Sequence, residues 1–311
     1  MSRNENMNIL VTGGTGFIGS HFIAELKKRN NIIVLMRDLS SALWTKWLNE
    51  ALYGCTIVQG DLLNKNVIRR ILAEYNINWT FHFAAQAIVS SALKDPFGTF
   101  QTNVTGTVNL LEACRQTDIE KIYIQSTDKV YGERMNAKEE DPIVSTGIYE
   151  TSKSCQDLVA QTFAQTYSLN ILIGRGCNAY GYDLAKRIIP NTIRNCIIGK
   201  PPTIYENEET IRQYIFIDDL VNATNFLVKN QVKGIFNIGT NDVLSQEEVV
   251  KSICKFFPLT PRLVKREKPL KEIQRQSIDW SKIKNLGWNP SFTFEEAIQV
   301  TIERFMKYGF S

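Results

Sequence analysis

At 311 residues the chain can hold one large domain or two unequal ones, and its 43% hydrophobic and 22% charged residues are those of an ordinary globular protein. A formal net charge of +4, with no long Lys/Arg run, argues against nucleic acid or a membrane surface as partner, although it leaves room for a local anion site. The scattered cysteines (Cys55, Cys114, Cys155, Cys177, Cys196, Cys254) form no C-x-x-C and read as reduced thiols of a cytoplasmic protein, and His21 and His82 lack metal-ligand spacing.

The start, "MSRNENMN", is too polar for a signal peptide, and no apolar run reaches the roughly 18 residues of a spanning helix. "MNILVT" (7–12) predicts a first strand, and "TGGTGFIGS" (12–20) follows at once, opening a helix near 16–29. Its Gly13, Gly16 and Gly19 suit a tight turn where a pyrophosphate approaches the backbone at a helix N-terminus. The expected cofactor-facing set over this turn is Gly13, Thr15, Gly16, Phe17, Ile18 and Gly19. A second strand, "NIIVLM" (31–36), ends in "MRDL". An acidic residue there would read the 2′-hydroxyl of NAD, whereas Arg37 can neutralise the 2′-phosphate of NADP, so NADP is favoured and NAD remains the alternative.

After a third strand, "TIVQ" (56–59), Asp61 and Leu62 of "GDL" are placed to meet the adenine. Helical spacing follows near 64–75, then the strand "WTFHFA" (79–84), which leads into Ala84, Ala85 and Gln86 of "FAAQ". A helix is expected near 97–116, with Val104, Thr107, Val108, Leu111 and Cys114 on one face, then the strand "KIYIQS" (121–126), a helix near 148–167 and the strand "NILIGR" (170–175). This alternation predicts an α/β, Rossmann-like, doubly wound parallel sheet. Beyond about 177 prolines and scattered charges suggest a less regular lobe, interrupted by "FIDDLVNATNFLVKN" and "GIFNIGT", which look like a helix and strand rejoining the sheet. The expected division is a dinucleotide domain over 1–176, with 212–240 returning to it, and a nucleotide-sugar lobe from 177–211 and 241–311.

"YETSK" places Tyr149 and Lys153 on one helix face, where an ammonium beside a phenol would lower its pKa and make Tyr149 a base. Together with the glycine loop, "FAAQ", "TNVTGTVNLLEACR" (102–115), Thr127 and "SIDWSKIKNLGW" (277–288), this resembles the extended short-chain dehydrogenase/reductases acting on nucleotide sugars. The resemblance runs through nearly the whole chain. It implies that Thr127 hydrogen-bonds the sugar's 4-hydroxyl, that Tyr149 takes its proton, and that Lys153 holds the nicotinamide ribose. Asp128 and Lys129 in "STDKVYG" resemble the Asp-Lys pair of the 4,6-dehydratases of the CDP-glucose and UDP-N-acetylglucosamine types. "FAAQ" and "YETSKSCQD" look most like the first type, and "MRD" resembles the NADP-binding second type.

Such a dehydratase oxidises C4, removes the proton at C5 with loss of the C6 hydroxyl, and returns hydride to C6. Lys129 suits the base if its pKa is lowered, and Asp128 the acid if its pKa is raised. The resemblance assigns the nucleotide diphosphate to Asn178, Arg212 and Arg275, while Arg187 sits in no recognisable motif. It also implies a homodimer through helices near 97–116 and 148–167, burying Leu110 and Leu111 or Val159. One departure is Ala92, with Ser90 and Ser91 before it, where the family often has a serine six residues after "AAQ". The alternatives are a 4-epimerase or 4-ketoreductase, which would leave Asp128 and Lys129 without a catalytic purpose, and a non-catalytic dinucleotide-binding module.

Overall fold

The computed structural model describes residues 6–40, 45–205, 210–265 and 273–310. In chain order its strands are β1 (Asn8–Thr12), β2 (Asn31–Met36), β3 (Thr56–Gln59), β4 (Trp79–His82), β5 (Lys121–Thr127), β6 (Ile171–Gly176), β7 (Asn178–Tyr180), β8 (Thr203–Tyr205), β9 (Ile211–Phe216), β10 (Gly234–Ile238), β11 (Val243–Ser245), β12 (Arg262–Val264) and β13 (Arg275–Gln276). Seven form a parallel sheet in the order β10-β6-β5-β4-β1-β2-β3.

The sheet is buried on both faces, which is why its strands read as near-continuous apolar runs. Ile9, Val11, Ile32, Val34 and Leu172 enter one core cluster. Their strand neighbours Leu10, Ile33, Leu35, Ile171 and Ile173 enter the other. The first cluster is closed by Phe22 and Ile23 of α1 (Phe17–Leu26), Leu48 and Leu52 of α2 (Lys46–Leu52), and, further along the chain, Leu220 and Leu227. The second is closed by Ile68 and Ile71 of α3 (Lys65–Glu74), and by Leu110, Leu111 and Ala160.

The helix expected near 97–116 is broken into pieces. After α4 (Val89–Lys94), Asp95 accepts from Gly98 N and starts the short α5 (Pro96–Phe100); a π-helical turn, Gln101–Thr105, then leads into α6 (Gly106–Arg115). The turn carries the fully buried Asn103 toward the site, and such bulges often mark functional positions. Leu110 and Leu111, offered above to an interface between copies, lie fully buried within the chain's own core. The helix expected near 148–167 is α7 (Ile148–Tyr167).

The later lobe is more regular than its prolines suggest. It contains α8 (Ile188–Ile197), and β9 is joined by β11 antiparallel and by β7 and β13 parallel. α9 (Ile217–Lys229) then leads to β10, which pairs parallel with β6 at the edge of the main sheet. β9 itself lies in the smaller sheet, so the return to the main sheet is carried by Ile217–Ile238. α10 (Gln246–Cys254), α11 (Ser281–Asn285) and α12 (Phe294–Tyr308) complete the chain, and capping boxes start α10 and α12. No helix among the described residues is long and apolar enough to cross a membrane.

Candidate active site

The loops after β1, β4, β5 and β6 meet at the carboxyl edge of the sheet, where the strand order turns from β1 toward β2 on one side and β4 on the other. Gly13 adopts φ +72°, and a Cβ there would lie 2.4 Å from Ala84 N, so the glycine turn packs on the backbone of "FAAQ". A Cβ on Gly19 would come within 2.3 Å of Gly13 O. Gly16 caps α1 without a side-chain hydrogen bond, and no acidic residue occupies the first turn. The positive end of the helix is thus left to an anion, and the turn fits a dinucleotide pyrophosphate. Thr15, Phe17 and Ile18 are half-buried around it, as are Ala84, Ala85 and Gln86.

Leu62 is buried over Gly106, while Asp61 Oδ1 accepts from Leu63 N at 2.8 Å. Arg37 and Asp38 are exposed just beyond β2. The Asp38 carboxylate is engaged by Ser40, from N at 2.8 Å and from Oγ at 3.1 Å.

Thr127 ends β5, and Asp128 and Lys129 begin a 3-10 turn, Asp128–Tyr131. Thr127 Oγ1 donates to Asp128 Oδ1 at 2.9 Å, and its hydroxyl acts to lower the phenol of Tyr149 on α7. Asp128 is 1% exposed. Burial pushes its carboxyl up, opposed by the charges of Lys129 and Arg212 and by the Thr127 hydroxyl. Lys129 Nζ lies 3.5 Å from both Asn178 Oδ1 and Gln276 Oε1.

The geometry corrects the expectation for Tyr149. Its buried phenol is pushed up to about 12, with Arg187 acting downward and Asp128 upward. Lys153 Nζ spends its hydrogen bonds elsewhere, donating to Gln125 O at 2.7 Å and to Gln156 Oε1. Burial lowers Lys153 to about 8.

Behind Lys153, Gln156 Nε2 donates to Thr107 Oγ1 at 2.9 Å, and Thr107 Oγ1 donates to Asn103 O at 2.7 Å. His82 bridges Thr107 Oγ1 and Thr12 Oγ1, at 2.9 and 2.7 Å, and burial holds it near 3, so it is neutral. Asn103 in turn accepts from Gln86 N at 2.7 Å and donates to Ser152 Oγ at 2.8 Å, tying the "FAAQ" loop to α7. The buried pair Asp157–Arg175, at 2.8 Å, joins α7 to β6, and Ser126 donates to the same carboxylate at 2.5 Å.

The structure therefore brings Thr127, Asp128, Lys129, Tyr149, Lys153 and Asn178 together. Asn178 lies against Asp128 and Lys129, with Nδ2 3.0 Å from Gln213 O and 3.5 Å from Asp128 Oδ2. Arg212 and Arg275 sit beside it on β9 and β13. Arg212 donates to the carbonyls of Ile211, Ile273 and Gln274, and Arg275 is exposed. Ala92 is buried in α4 and offers no hydroxyl.

Four residues given no role from the sequence also belong to the site: Asn103, Gln156, Gln276 and Arg187. Arg187 lies 5.6 Å from the Phe17 ring centroid and 3.6 Å from Asp183 Oδ2, and its charge acts on Tyr149. No cluster of His, Cys, Asp or Glu among the described residues suits a metal.

The family model described as "NAD dependent epimerase/dehydratase family" matches residues 9–239. A dTDP-glucose 4,6-dehydratase of Haemophilus influenzae is 32% identical over 332 residues, covering 96% of this chain and 98% of that protein. Among solved structures, dTDP-glucose 4,6-dehydratase of Bacillus anthracis in complex with NAD superposes with a TM-score of 0.85 at 28% identity, covering 97% of both chains. UDP-glucose 4-epimerase of Thermotoga maritima, with UDP-glucose, gives the same TM-score and identity over 97% of this chain and 99% of that one. With its family match over most of the chain and its glycine turn, parallel sheet and Tyr149–Lys153 helix, this chain belongs to the NAD-dependent epimerase/dehydratase family.

Proposed function

We propose that the protein is a nucleotide-sugar 4,6-dehydratase, converting a nucleotide-diphosphate hexose to the 4-keto-6-deoxy sugar and water. The observation that carries this reading is the buried Asp128, its carboxyl raised by burial, lying one residue from Lys129 and accepting a hydrogen bond from Thr127. A bound nicotinamide would supply the acceptor for the C4 hydride and the donor that later serves C6. Thr127 and Tyr149 hold the 4-hydroxyl, and Tyr149 takes its proton as the phenolate, the form that the Arg187 charge favours against burial. Lys153, held at Gln125 O, orients the cofactor ribose from the same helix face as Tyr149. Once C4 is a ketone, the C5 proton is acidified; Lys129 removes it, and Asp128 protonates the departing C6 oxygen. The elimination balances with one proton removed at C5 and one delivered at O6; as hydride reaches C6, Lys129 returns its proton to C5, and the proton taken by Tyr149 restores Asp128.

The same fold serves a UDP-glucose 4-epimerase at an equal TM-score, which supports epimerisation as a second reading resting on Thr127, Tyr149 and Lys153 alone. Incubation with dTDP-, UDP-, CDP- and GDP-hexoses decides between them by mass. Loss of one water supports the dehydratase, and an isomer of unchanged mass supports the epimerase.

NADP is the proposed cofactor, because the Asp38 carboxylate is occupied by Ser40 while Arg37 is exposed and makes no ion pair among the described residues. The NAD of the Bacillus anthracis relative supports the second reading, NAD. A homodimer is proposed from the exposed Leu93, Phe97 and Leu158 on α4, α5 and α7, and sedimentation tests it.

A further inference from the structure

We infer that Gln276 is a positioning residue for the Asp128–Lys129 turn, an inference that rests on the dehydratase reading. Gln276 is 1% exposed and arrives from β13, 148 residues away from Asp128 in sequence. Its Nε2 donates to Asp128 O at 3.0 Å and to Gly132 O at 2.9 Å, so it spans the two ends of the turn that presents the acid and the base.

Carbonyls only accept, so these two contacts fix which way the amide faces. Oε1 must then point the other way, and it faces Lys129 Nζ at 3.5 Å. Asn178 completes the arrangement. Its Nδ2 donates to Gln213 O at 3.0 Å, which turns Oδ1 toward the same Nζ at 3.5 Å. Lys129 Nζ thus lies 3.5 Å from two amide oxygens, and among the described residues Gln276 alone contacts both the backbone of the turn and the lysine head.

The support is itself rigid. Just past Gln276, Ser277 N donates to Arg134 O at 3.0 Å, Ala137 N to Ser277 O at 3.0 Å, and Asp279 N to Ala137 O at 2.8 Å. The strand is therefore stitched to the segment that follows the turn. In the small sheet Gln276 pairs with Arg212 and follows Arg275, the two arginines proposed for the diphosphate. One two-residue strand thereby carries a candidate phosphate ligand and the residue that fixes the elimination pair. Among the described residues Gln276 itself has no hydrogen bond with Thr127, Tyr149 or Lys153. Its removal should act on elimination and leave oxidation alone.

The test is Gln276→Leu, which keeps bulk and deletes both donors and the acceptor, read with a nucleotide sugar that the wild type dehydrates. In a single turnover reduced nicotinamide should rise to wild-type amplitude, while deoxy-sugar product forms about 10²-fold more slowly, as misplacement of reacting groups by about an ångström can cost. Exchange of solvent deuterium into C5 should fall with it. Product formation at the wild-type rate, or oxidation falling in step with product, overturns the inference. If Gln276→Leu does not fold, Gln276→Glu, which loses the amide donors but keeps the length, is read the same way; failure of both to fold makes the residue structural and also overturns it. A wild type that releases water from no nucleotide sugar overturns the dehydratase reading and this inference together, which separates the two failures.

Discussion

Tyr149 and Lys153 stand on a 20-residue helix packed against the main sheet, whereas Asp128 and Lys129 occupy a 3-10 turn held from across the site by the smaller lobe. On the first side the supports are Gln125, Gln156, Thr107 and His82, all from the main-sheet half of the chain and all buried or nearly so. On the second side they are Asn178, Gln213 and Gln276, which come from β7, β9 and β13. The difference teaches that the groups proposed for oxidation are held from the main sheet, while those proposed for elimination also take hydrogen bonds from the smaller lobe. Oxidation and elimination should therefore be separable by mutation.

The largest effect should come from the main-sheet side. Tyr149→Phe keeps the ring in its buried place but removes the proton acceptor, and turnover should fall by about 10²–10⁴-fold with folding and cofactor binding retained. Steady-state rates and a cofactor titration check it, and near-normal turnover would remove Tyr149 from the account. The same side carries Arg37, where Arg37→Ala should weaken NADP by roughly 1.5–3 kcal/mol, the worth of a hydrogen bond to a charged group. That is roughly ten- to a hundredfold in dissociation constant, with NAD much less affected. Equal weakening of both cofactors would show that Arg37 does not read the ribose.

How much of this was legible in the sequence follows from the same contrast. The glycine turn, the Tyr149–Lys153 spacing and the alternating strands are local signals, because each is fixed by residues within one element and its neighbour. The π-helical break at Gln101–Thr105 was not legible, since it is imposed by Asn103 reaching Gln86 and Ser152. Gln276 was invisible for a similar reason: its partners lie far away in the chain. The direction of Tyr149's shift was misjudged because spacing on a helix places two side chains on one face without showing where their heads turn. By contrast, the helices of the second lobe carried readable starts. Ser245 with Glu248 and Thr293 with Glu296 are S/T-x-x-E capping boxes within a proline-rich stretch that looks irregular.

A more graded effect is expected with pH. The chain's two histidines, His21 and His82, both lie on the main-sheet side, in α1 and β4, and burial depresses them to about 4 and about 3. A histidine lowered in the folded state takes up its proton first in the unfolded chain. Its stabilisation is therefore complete above about 6.5 and is lost as pH falls toward the folded value. Each contributes a limiting slope of about 1.4 kcal/mol per pH unit in that window. Denaturant melts of wild type and His82→Gln between pH 7 and pH 4 should show a shallower loss in the variant, and parallel curves would contradict a neutral, buried His82.

The separation of the two half-reactions is the central claim, and single-turnover analysis of Asp128→Asn and Lys129→Met tests it most directly. Asparagine keeps the size but cannot give a carboxylic proton to the leaving hydroxyl, and methionine keeps the stem but cannot accept the C5 proton. Both variants should still oxidise C4, seen as a rise in reduced-nicotinamide absorbance, yet form little deoxy sugar; Lys129→Met should also lose exchange of solvent deuterium into C5. Dehydration by both variants at the wild-type rate would contradict the account and leave Asp128 and Lys129 as a structural turn.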